Sequence, residues 1–192
     1  MEKAAKILVL AGSARRESVN RKLAAAAHQM IEKKGMASTL LDAAEISLPL
    51  YHGDLEEEKG LPEDAVRIKK LLQSHAGLLI CSPEYNSSVT PFLKNLIDWV
   101  SRPMEEEEPM SGFDGKIAGL LAASPGRLGG MRGLVHLRDI LGNIGVLVIP
   151  EERAVSGAFD AFDAEGNLTD QRAREGVEGV IDQLISVVRK LA

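Results

Sequence analysis

The sequence predicts an α/β fold built on a doubly wound, five-stranded parallel sheet. Four short apolar runs are continuous and not alternating, as expected of parallel strands that are covered on both faces. They are Ile7–Ala11, Gly77–Cys81, Ile117–Ala123 and Val146–Ile149, and a fifth, weaker strand is predicted at Ser38–Leu41. Segments with helical periodicity lie between the runs. This alternation of strand and helix indicates a parallel sheet with right-handed crossovers.

The composition is that of an ordinary globular protein. The 192 residues are 45% hydrophobic and 27% charged, with a net charge of −5, and we expect one domain spanning residues 1–192. The acidic balance argues against binding along a nucleic-acid backbone. The single cysteine, Cys81, excludes an intramolecular disulfide and a CxxC redox pair. No apolar run approaches the roughly 18 residues of a membrane helix, and the first residues do not resemble a signal peptide, so we expect a cytoplasmic protein.

The first half of the chain contains two predicted helices. The first covers Val19–Ile31, where apolar residues recur at helical spacing, and Ser18 is its expected N-cap. A weaker helix is predicted after Pro62. The segment Leu48–Gly60 has neither pattern and is expected to be irregular.

Three more helices are predicted in the second half. Thr90 and Pro91 provide an N-cap and a first-turn proline for the third helix. The apolar residues of Leu134–Ile144 mark the fourth. The last contains Val177–Leu191 and is expected to be capped by Thr169.

The helix that begins at Pro91 has apolar residues on two faces. Phe92 and Trp99 lie away from its main apolar stripe, and a helix of this kind needs burial on both faces. We therefore expect a homodimer, or a dimer of dimers, with this helix at the contact. The following segment, Pro103–Gly115, includes the acidic run Glu105–Glu108, which is expected to be solvated.

In a doubly wound sheet, ligands bind beyond the carboxyl ends of the strands. The loop after the first strand, Gly12–Asn20, leads into a helix whose free N–H groups and dipole suit an anion. Hydroxyl and amide side chains add hydrogen bonds there, and Arg15 adds a charge-assisted one. Neither GxGxxG nor GxxxxGK[ST] is present. A plain turn capped by a serine remains the alternative.

The loops after the third and fourth strands are also unusual. In Ser82–Pro91, Pro83 stiffens the exit from the strand, and Tyr85 and Asn86 offer a flat face and an amide, which suit a planar ring. In Ser124–Gly130, glycines allow a close approach of the backbone to a ligand. Each loop taken alone is equally compatible with a simple turn before a helix.

Other chemistries find little support. The four histidines, at positions 28, 52, 75 and 136, lack metal-ligand spacing, and the GxSxG motif of a nucleophile elbow is absent. We expect no metal and name no catalytic side-chain acid or base.

Together the three loops resemble the NADPH-dependent FMN reductase family, which includes quinone, azo and chromate reductases. The matching residues are GSARRESVN at 12–20, PEYN at 83–86 with LKNLIDWVSR at 93–102, and SPGRLGG at 124–130. The resemblance covers nearly the whole chain, with the motifs in the right order. It implies a flavodoxin-like sheet of strand order 2-1-3-4-5 that binds FMN.

The resemblance also implies three sets of contacts to FMN. The ribityl phosphate is held by Ser13, Arg15, Ser18 and Asn20, the isoalloxazine is lined by Pro83, Glu84, Tyr85 and Asn86, and its other side is approached by Ser124 and Gly126. One departure is Ser87, where several relatives have a second aromatic residue, and this affects the outer wall of the ring site.

The implied activity transfers hydride from NADPH or NADH to bound FMN and then electrons to a small acceptor, such as a quinone, an azo compound, a metal oxyanion or a flavin. The alternatives are a flavodoxin-type electron carrier and a non-enzymatic flavin sensor. Carriers typically hold the phosphate with a hydroxyl-rich loop that lacks arginine, so Arg15 and Arg16 argue against that alternative. The sequence leaves the acceptor and the choice of nicotinamide open, although Arg16 or Arg127 is placed to meet a 2′-phosphate.

Overall fold

The computed structural model has a five-stranded parallel sheet at its centre, with helices on both faces. It describes residues 5–104 and 107–191. The strands lie in the order β2-β1-β3-β4-β5, and all neighbours are parallel. Their bounds are β1 Ile7–Ala11, β2 Ser38–Leu41, β3 Gly77–Cys81, β4 Ile117–Ala123 and β5 Leu147–Val155. The predicted fold class and strand order are therefore confirmed.

Two long helices cover one face of the sheet, and three shorter ones cover the other. The helices are α1 Val19–Lys33, α2 Gly53–Lys59, α3 Glu63–Gln73, α4 Pro91–Val100, α5 Met131–Asn143 and α6 Gln171–Leu191. The first core contains α1 and α6, and the second contains α3, α4 and α5. Within the described residues, no helix has both the length and the apolar character that crossing a membrane requires.

The central strands are apolar at every position because both of their faces are buried. In β1, the side chains of Ile7 and Val9 belong to the core under α1 and α6, whereas those of Leu8 and Leu10 belong to the opposite core. Successive side chains of a strand point to opposite faces, so a sheet covered on both sides needs continuous apolar runs. This requirement explains why β1, β3 and β4 could be delimited from the sequence, whereas the edge strand β2, in which only Leu41 is buried, has a weaker pattern.

Helix α4 begins as predicted, but Trp99 on its second apolar face is covered by the chain itself. The hydroxyl of Thr90 accepts a hydrogen bond from the amide of Leu93 at 3.1 Å. Trp99 is fully buried, its Nε1 donates to the carbonyl of Pro49 at 2.7 Å, and its ring meets that of Tyr51 edge-on with centroids 5.0 Å apart. The prediction that Trp99 is buried by a second subunit is therefore wrong.

Three boundaries also differ from the sequence predictions. The segment expected to be irregular, Leu48–Gly60, contains α2. Helix α6 is capped by Asp170, whose Oδ1 accepts from the amide of Ala173 at 2.6 Å, whereas the predicted cap, Thr169, donates to a loop carbonyl. Strand β5 continues past a register shift near Pro150, because an edge strand tolerates a proline and charged residues that a central strand does not.

The acidic run in the 103–115 segment is not simply solvated. Glu105 and Glu106 lie outside the described residues. Glu107 accepts a hydrogen bond from the side chain of Gln73, and its carboxylate forms an ion pair with the fully buried Lys69, with 3.0 Å between nitrogen and oxygen. The hydrogen bonds from Gln73 and Lys69 lower the pKa of Glu107 to about 2. This contact fixes the segment against α3, so the prediction of a solvated position is wrong for Glu107.

Candidate functional site

Three loops meet at the carboxyl edge of the sheet. In the strand register, Ala11 lies beside Cys81, and Cys81 lies beside Leu121. The loops that leave β1, β3 and β4 therefore start close together. This is the edge at which doubly wound sheets bind their ligands.

The loops after β1 and β3 are joined at Gly12. Its amide donates to the carbonyl of Cys81 at 2.9 Å, and its carbonyl accepts from the hydroxyl of Thr90 at 2.6 Å. A β-carbon at this position would lie 3.1 Å from a methyl group of Leu93 and 3.2 Å from the ring of Pro83. The absence of a side chain at Gly12 thus permits the close contact between the two loops.

The loop from Ser13 to Ser18 presents hydrogen-bond donors at the start of α1. Both serines are buried, and Ser18 occupies the N-cap position, but its hydroxyl makes no capping bond to the helix. Four loop amides find no acceptor among the described residues, those of Ser13, Ala14, Arg16 and Glu17. Free amides, a free hydroxyl and the positive end of a helix dipole together form a site that suits a phosphate.

Arg15 adds a charge beside these donors. The residue is exposed, and its guanidinium donates to the carbonyl of Glu17 at 2.9 Å. Across residues 5–104 and 107–191, no acidic side chain forms an ion pair with Arg15. Its charge is therefore available to an anion bound at the loop.

Asn20 joins α1 to the end of β4. Its Nδ2 donates to the carbonyl of Ala123 at 2.7 Å, and its Oδ1 accepts from the amide of the same residue at 2.8 Å. The side chain is buried, and both polar ends of its carboxamide are engaged. The structure thus places Asn20 beneath the loop, where it fixes the position of the helix start.

Glu84 joins the loop after β3 to the start of α5. Its carboxylate accepts hydrogen bonds from the amides of Arg132 at 3.0 Å and Gly133 at 3.2 Å, and from the Arg132 guanidinium. The side chain of Glu84 is only 8% exposed. Burial alone would raise its pKa, but the hydrogen bonds from Arg132 and Gly133 more than offset that effect and hold the pKa below its usual value. Arg132 could not be predicted from the sequence, because its role depends on a residue 48 positions away.

A strained two-residue turn projects Tyr85 from the same loop. The backbones of Tyr85 and Ser88 form two mutual hydrogen bonds of 3.0 and 3.1 Å. Asn86 and Ser87 between them have φ angles of 50° and 67°. Such angles are readily adopted by asparagine but are uncommon for serine, and strain of this kind accumulates at functional sites. Tyr85 remains 50% exposed, so its ring is accessible to a ligand.

The third loop is anchored at Ser124. Its amide donates to the carbonyl of Val155 at 3.0 Å, and its carbonyl accepts from the amide of Ala158 at 3.2 Å. Gly126 is exposed, with its amide 3.3 Å from the hydroxyl of Ser124. The loop therefore has a fixed base and an accessible backbone beyond it.

Comparison with known proteins finds one matching family model and several relatives of similar length. A model of the NADPH-dependent FMN reductase family matches residues 5–160. An NAD(P)H-dependent FMN reductase of Pseudomonas aeruginosa is 37% identical over 187 residues, which cover 97% of this chain and 96% of the relative. A 2-hydroxy-1,4-benzoquinone reductase of Burkholderia is 31% identical over 188 residues, with 97% of both chains covered. The solved structure of the Paracoccus denitrificans flavoenzyme FerB, an NAD(P)H:(acceptor) oxidoreductase, superimposes with a TM-score of 0.83 at 28% identity, covering 97% of this chain and 98% of FerB.

We predict that the Glu84 contact stabilises the fold mainly through the backbone amides of α5. Arg132 is 58% exposed, and exposed ion pairs contribute less than about 1 kcal/mol. Replacing a capping side chain by alanine costs typically about 1 kcal/mol and at most about 2 kcal/mol. Glu84→Ala should therefore lower the free energy of unfolding in urea by more than Arg132→Ala does. Equal losses in the two variants would show that the ion pair dominates.

The same contact predicts a pH dependence. Because the pKa of Glu84 is lower in the folded protein than its ordinary value of 4.5, its stabilisation is present above about pH 4.5 and is lost as the pH falls through the folded-state pKa. The difference in unfolding free energy between the wild type and Glu84→Ala should thus shrink below pH 4.5. A difference that stays constant down to pH 3 would contradict this assignment.

Proposed function

Because the chain belongs to the NADPH-dependent FMN reductase family, we propose that it is an FMN-dependent NAD(P)H oxidoreductase whose acceptor is a small oxidant of the quinone type. The family match and the relatives support the reductase activity, and the quinone reductase among those relatives supports the acceptor class. We propose that residues 1–192 act as a single FMN-binding domain. A cytoplasmic location is part of the proposal, because the only cysteine is a buried free thiol.

The observation that carries the proposal is the pairing of an anion site with an exposed aromatic ring at one edge of the sheet. The free amides and Arg15 fit the phosphate of FMN, and the loop bearing Tyr85 fits its isoalloxazine. Bound FMN supplies the two-electron redox chemistry, while the protein supplies binding, orientation and access. Cys81 takes no part in this chemistry, because burial raises the pKa of its thiol and keeps it protonated.

We propose that the ten expected site residues divide into contacting and positioning groups. The contacts to FMN come from Ser13, Arg15, Ser18, Pro83, Tyr85, Asn86, Ser124 and Gly126. Asn20 and Glu84 act through other residues, because their polar atoms are already bonded to Ala123 and to the start of α5. These two side chains hold the three loops in a fixed arrangement around the flavin.

A steady-state assay tests the proposed function. Purified protein should oxidise NADPH or NADH only when FMN is present, and the rate should rise with a benzoquinone in a panel that also includes an azo dye, chromate and free flavin. A flavodoxin-type carrier would bind FMN without being reduced by either nicotinamide at a useful rate. A flavin sensor would turn over none of the acceptors. Either outcome would replace the enzyme assignment.

Arg15 should be the main charged contact to the FMN phosphate. A hydrogen bond to a charged group typically contributes about 1.5–3 kcal/mol, so Arg15→Ala should weaken FMN binding roughly 10- to 150-fold. Riboflavin lacks the phosphate, and its affinity should barely change. Titration of both flavins into both proteins at fixed salt measures the effect. If the FMN affinity of the variant stays within about twofold of the wild type, well under one decade, the phosphate assignment is wrong.

We propose that the protein forms a homodimer, or a dimer of dimers, through a surface beside the flavin loops. Leu128, Met131 and Val135 are each about half exposed, at 50%, 51% and 50%, and they form one stripe along the start of α5. Exposed apolar stripes of this kind are typical of protein contacts. The surface adjoins the loop from Ser124 to Gly130, so a partner there would also border the flavin.

Sedimentation analysis tests this contact. Val135→Glu should shift the protein toward monomer, because the contact would bury an unpaired carboxylate. Trp99→Phe should leave the association state unchanged, because Trp99 is buried within its own chain. A wild-type protein that already sediments as a monomer would remove the proposal.

A further inference from the structure

A second cleft opens at the same edge of the sheet, on the far side of the phosphate loop. It has a volume of about 310 Å³ and lies between α1 and the ends of β1 and β2. Its floor consists of small or apolar residues, Ala11, Ala24, Ala25, Leu40, Leu41 and Ala43. This volume falls at the lower end of the range for small-ligand sites.

The rim of the cleft is cationic in a chain whose net charge is −5. Arg16, Arg21 and Lys22 line it, and Asp42 is the one acidic residue among the lining residues. Asp42 is paired with Arg21 at 2.8 Å, so its charge is largely compensated. Arg16 has no acidic partner in the part of the chain that the structure describes, and Lys22 lies 3.9 Å from a carboxylate oxygen of the exposed Glu17. Two cations thus remain available to an anion.

The pairing of an apolar floor with a cationic rim distinguishes this cleft from a simple anion site. A free phosphate needs only the rim, whereas a nucleoside phosphate places a flat base on an apolar surface and its phosphate among the cations. Asp42 directly follows β2 and lines the cleft, so its carboxylate can also accept a hydrogen bond from a ribose hydroxyl. The chemistry of the cleft therefore matches an adenosine that carries an additional phosphate.

The position of the cleft relates it to the proposed flavin site. The loops that would hold the flavin ring leave β3 and β4, and the cleft lies over β2 and β1. Three strand spacings separate β4 from β2, a distance of about 14 Å. A nicotinamide dinucleotide that extends along the edge, with its nicotinamide at the ring, would place its adenosine near the cleft. Arg127 is exposed on the loop after β4 and does not line the cleft.

We propose that the cleft between α1 and β2 binds the adenosine 2′-phosphate of NADPH, with Arg16 and Lys22 as the phosphate ligands and Arg21 as the partner that neutralises Asp42. This assignment rests on the proposed function. A cleft of this kind favours NADPH over NADH, because its cations bind a phosphate that NADH lacks.

Direct binding separates the cleft from the flavin chemistry. Adenosine 2′,5′-bisphosphate should bind the wild-type protein more tightly than adenosine 5′-monophosphate does in calorimetry at fixed salt. Arg16→Ala should abolish most of this difference. Lys33→Ala removes the same charge from the last turn of α1, away from the cleft, and should retain the difference. The assignment would be overturned if the wild type bound the two nucleotides with equal affinity. It would also be overturned if Arg16→Ala and Lys33→Ala reduced the preference for the bisphosphate equally.

Steady-state kinetics supply the second readout. Arg16→Ala should lower kcat/KM for NADPH about tenfold or more and change kcat/KM for NADH by less than about twofold. Lys22→Ala should lower kcat/KM for NADPH in the same way, and its FMN affinity should match that of the wild type, because Lys22 lies within α1 and outside the loop that holds the flavin phosphate. Unchanged discrimination between the two nicotinamides would overturn the cleft assignment and leave the reductase intact. Failure to oxidise either nicotinamide, with tight binding of the bisphosphate, would count against the proposed reductase and not against the cleft.

Discussion

The parallel pairing of β1, β3 and β4 is the constraint on which the site depends. Parallel strands bring all their carboxyl ends to one edge, so the loops that follow must pack against one another. Three cross-loop contacts accomplish this packing, at Gly12, at Asn20 and at Glu84. Each of them joins a loop to a neighbouring strand or helix through backbone atoms. The result is a fixed rim around an otherwise exposed surface.

These contacts explain why Asn20 and Glu84 offer no free polar group to a ligand. Asn20 and Glu84 are buried or nearly so, and each satisfies its hydrogen bonds within the chain. An unsatisfied buried polar group would be costly, so their positions are strongly determined. The groups that stay available are the amides after Gly12, the Ser18 hydroxyl and Arg15, which lie where a phosphate would bring its own compensating charge. The division between positioning and contacting residues follows from this difference.

The sequence predicted the elements that depend on local pattern. The central strands are continuous apolar runs because they are buried on both faces, and Thr90 and Pro91 form a local start signal for α4. The elements it missed depend on distant partners. The pattern of α4 predicts an interface at Trp99, because the helix sequence alone does not show that the indole of Trp99 donates a hydrogen bond to the distant carbonyl of Pro49. In the same way, the loop after β3 does not by itself predict that Glu84 binds the start of α5, since its partner Arg132 lies 48 positions along the chain.

The central claim is that the loops after β1, β3 and β4 form one flavin site. A crystal structure of the protein with FMN tests it most directly. We expect the phosphate within hydrogen-bonding distance of the amides between Ser13 and Glu17 and beside Arg15, with the isoalloxazine between Tyr85 and the loop after Ser124. Electron density for the phosphate at any other place, including the cleft between α1 and β2, would contradict this account.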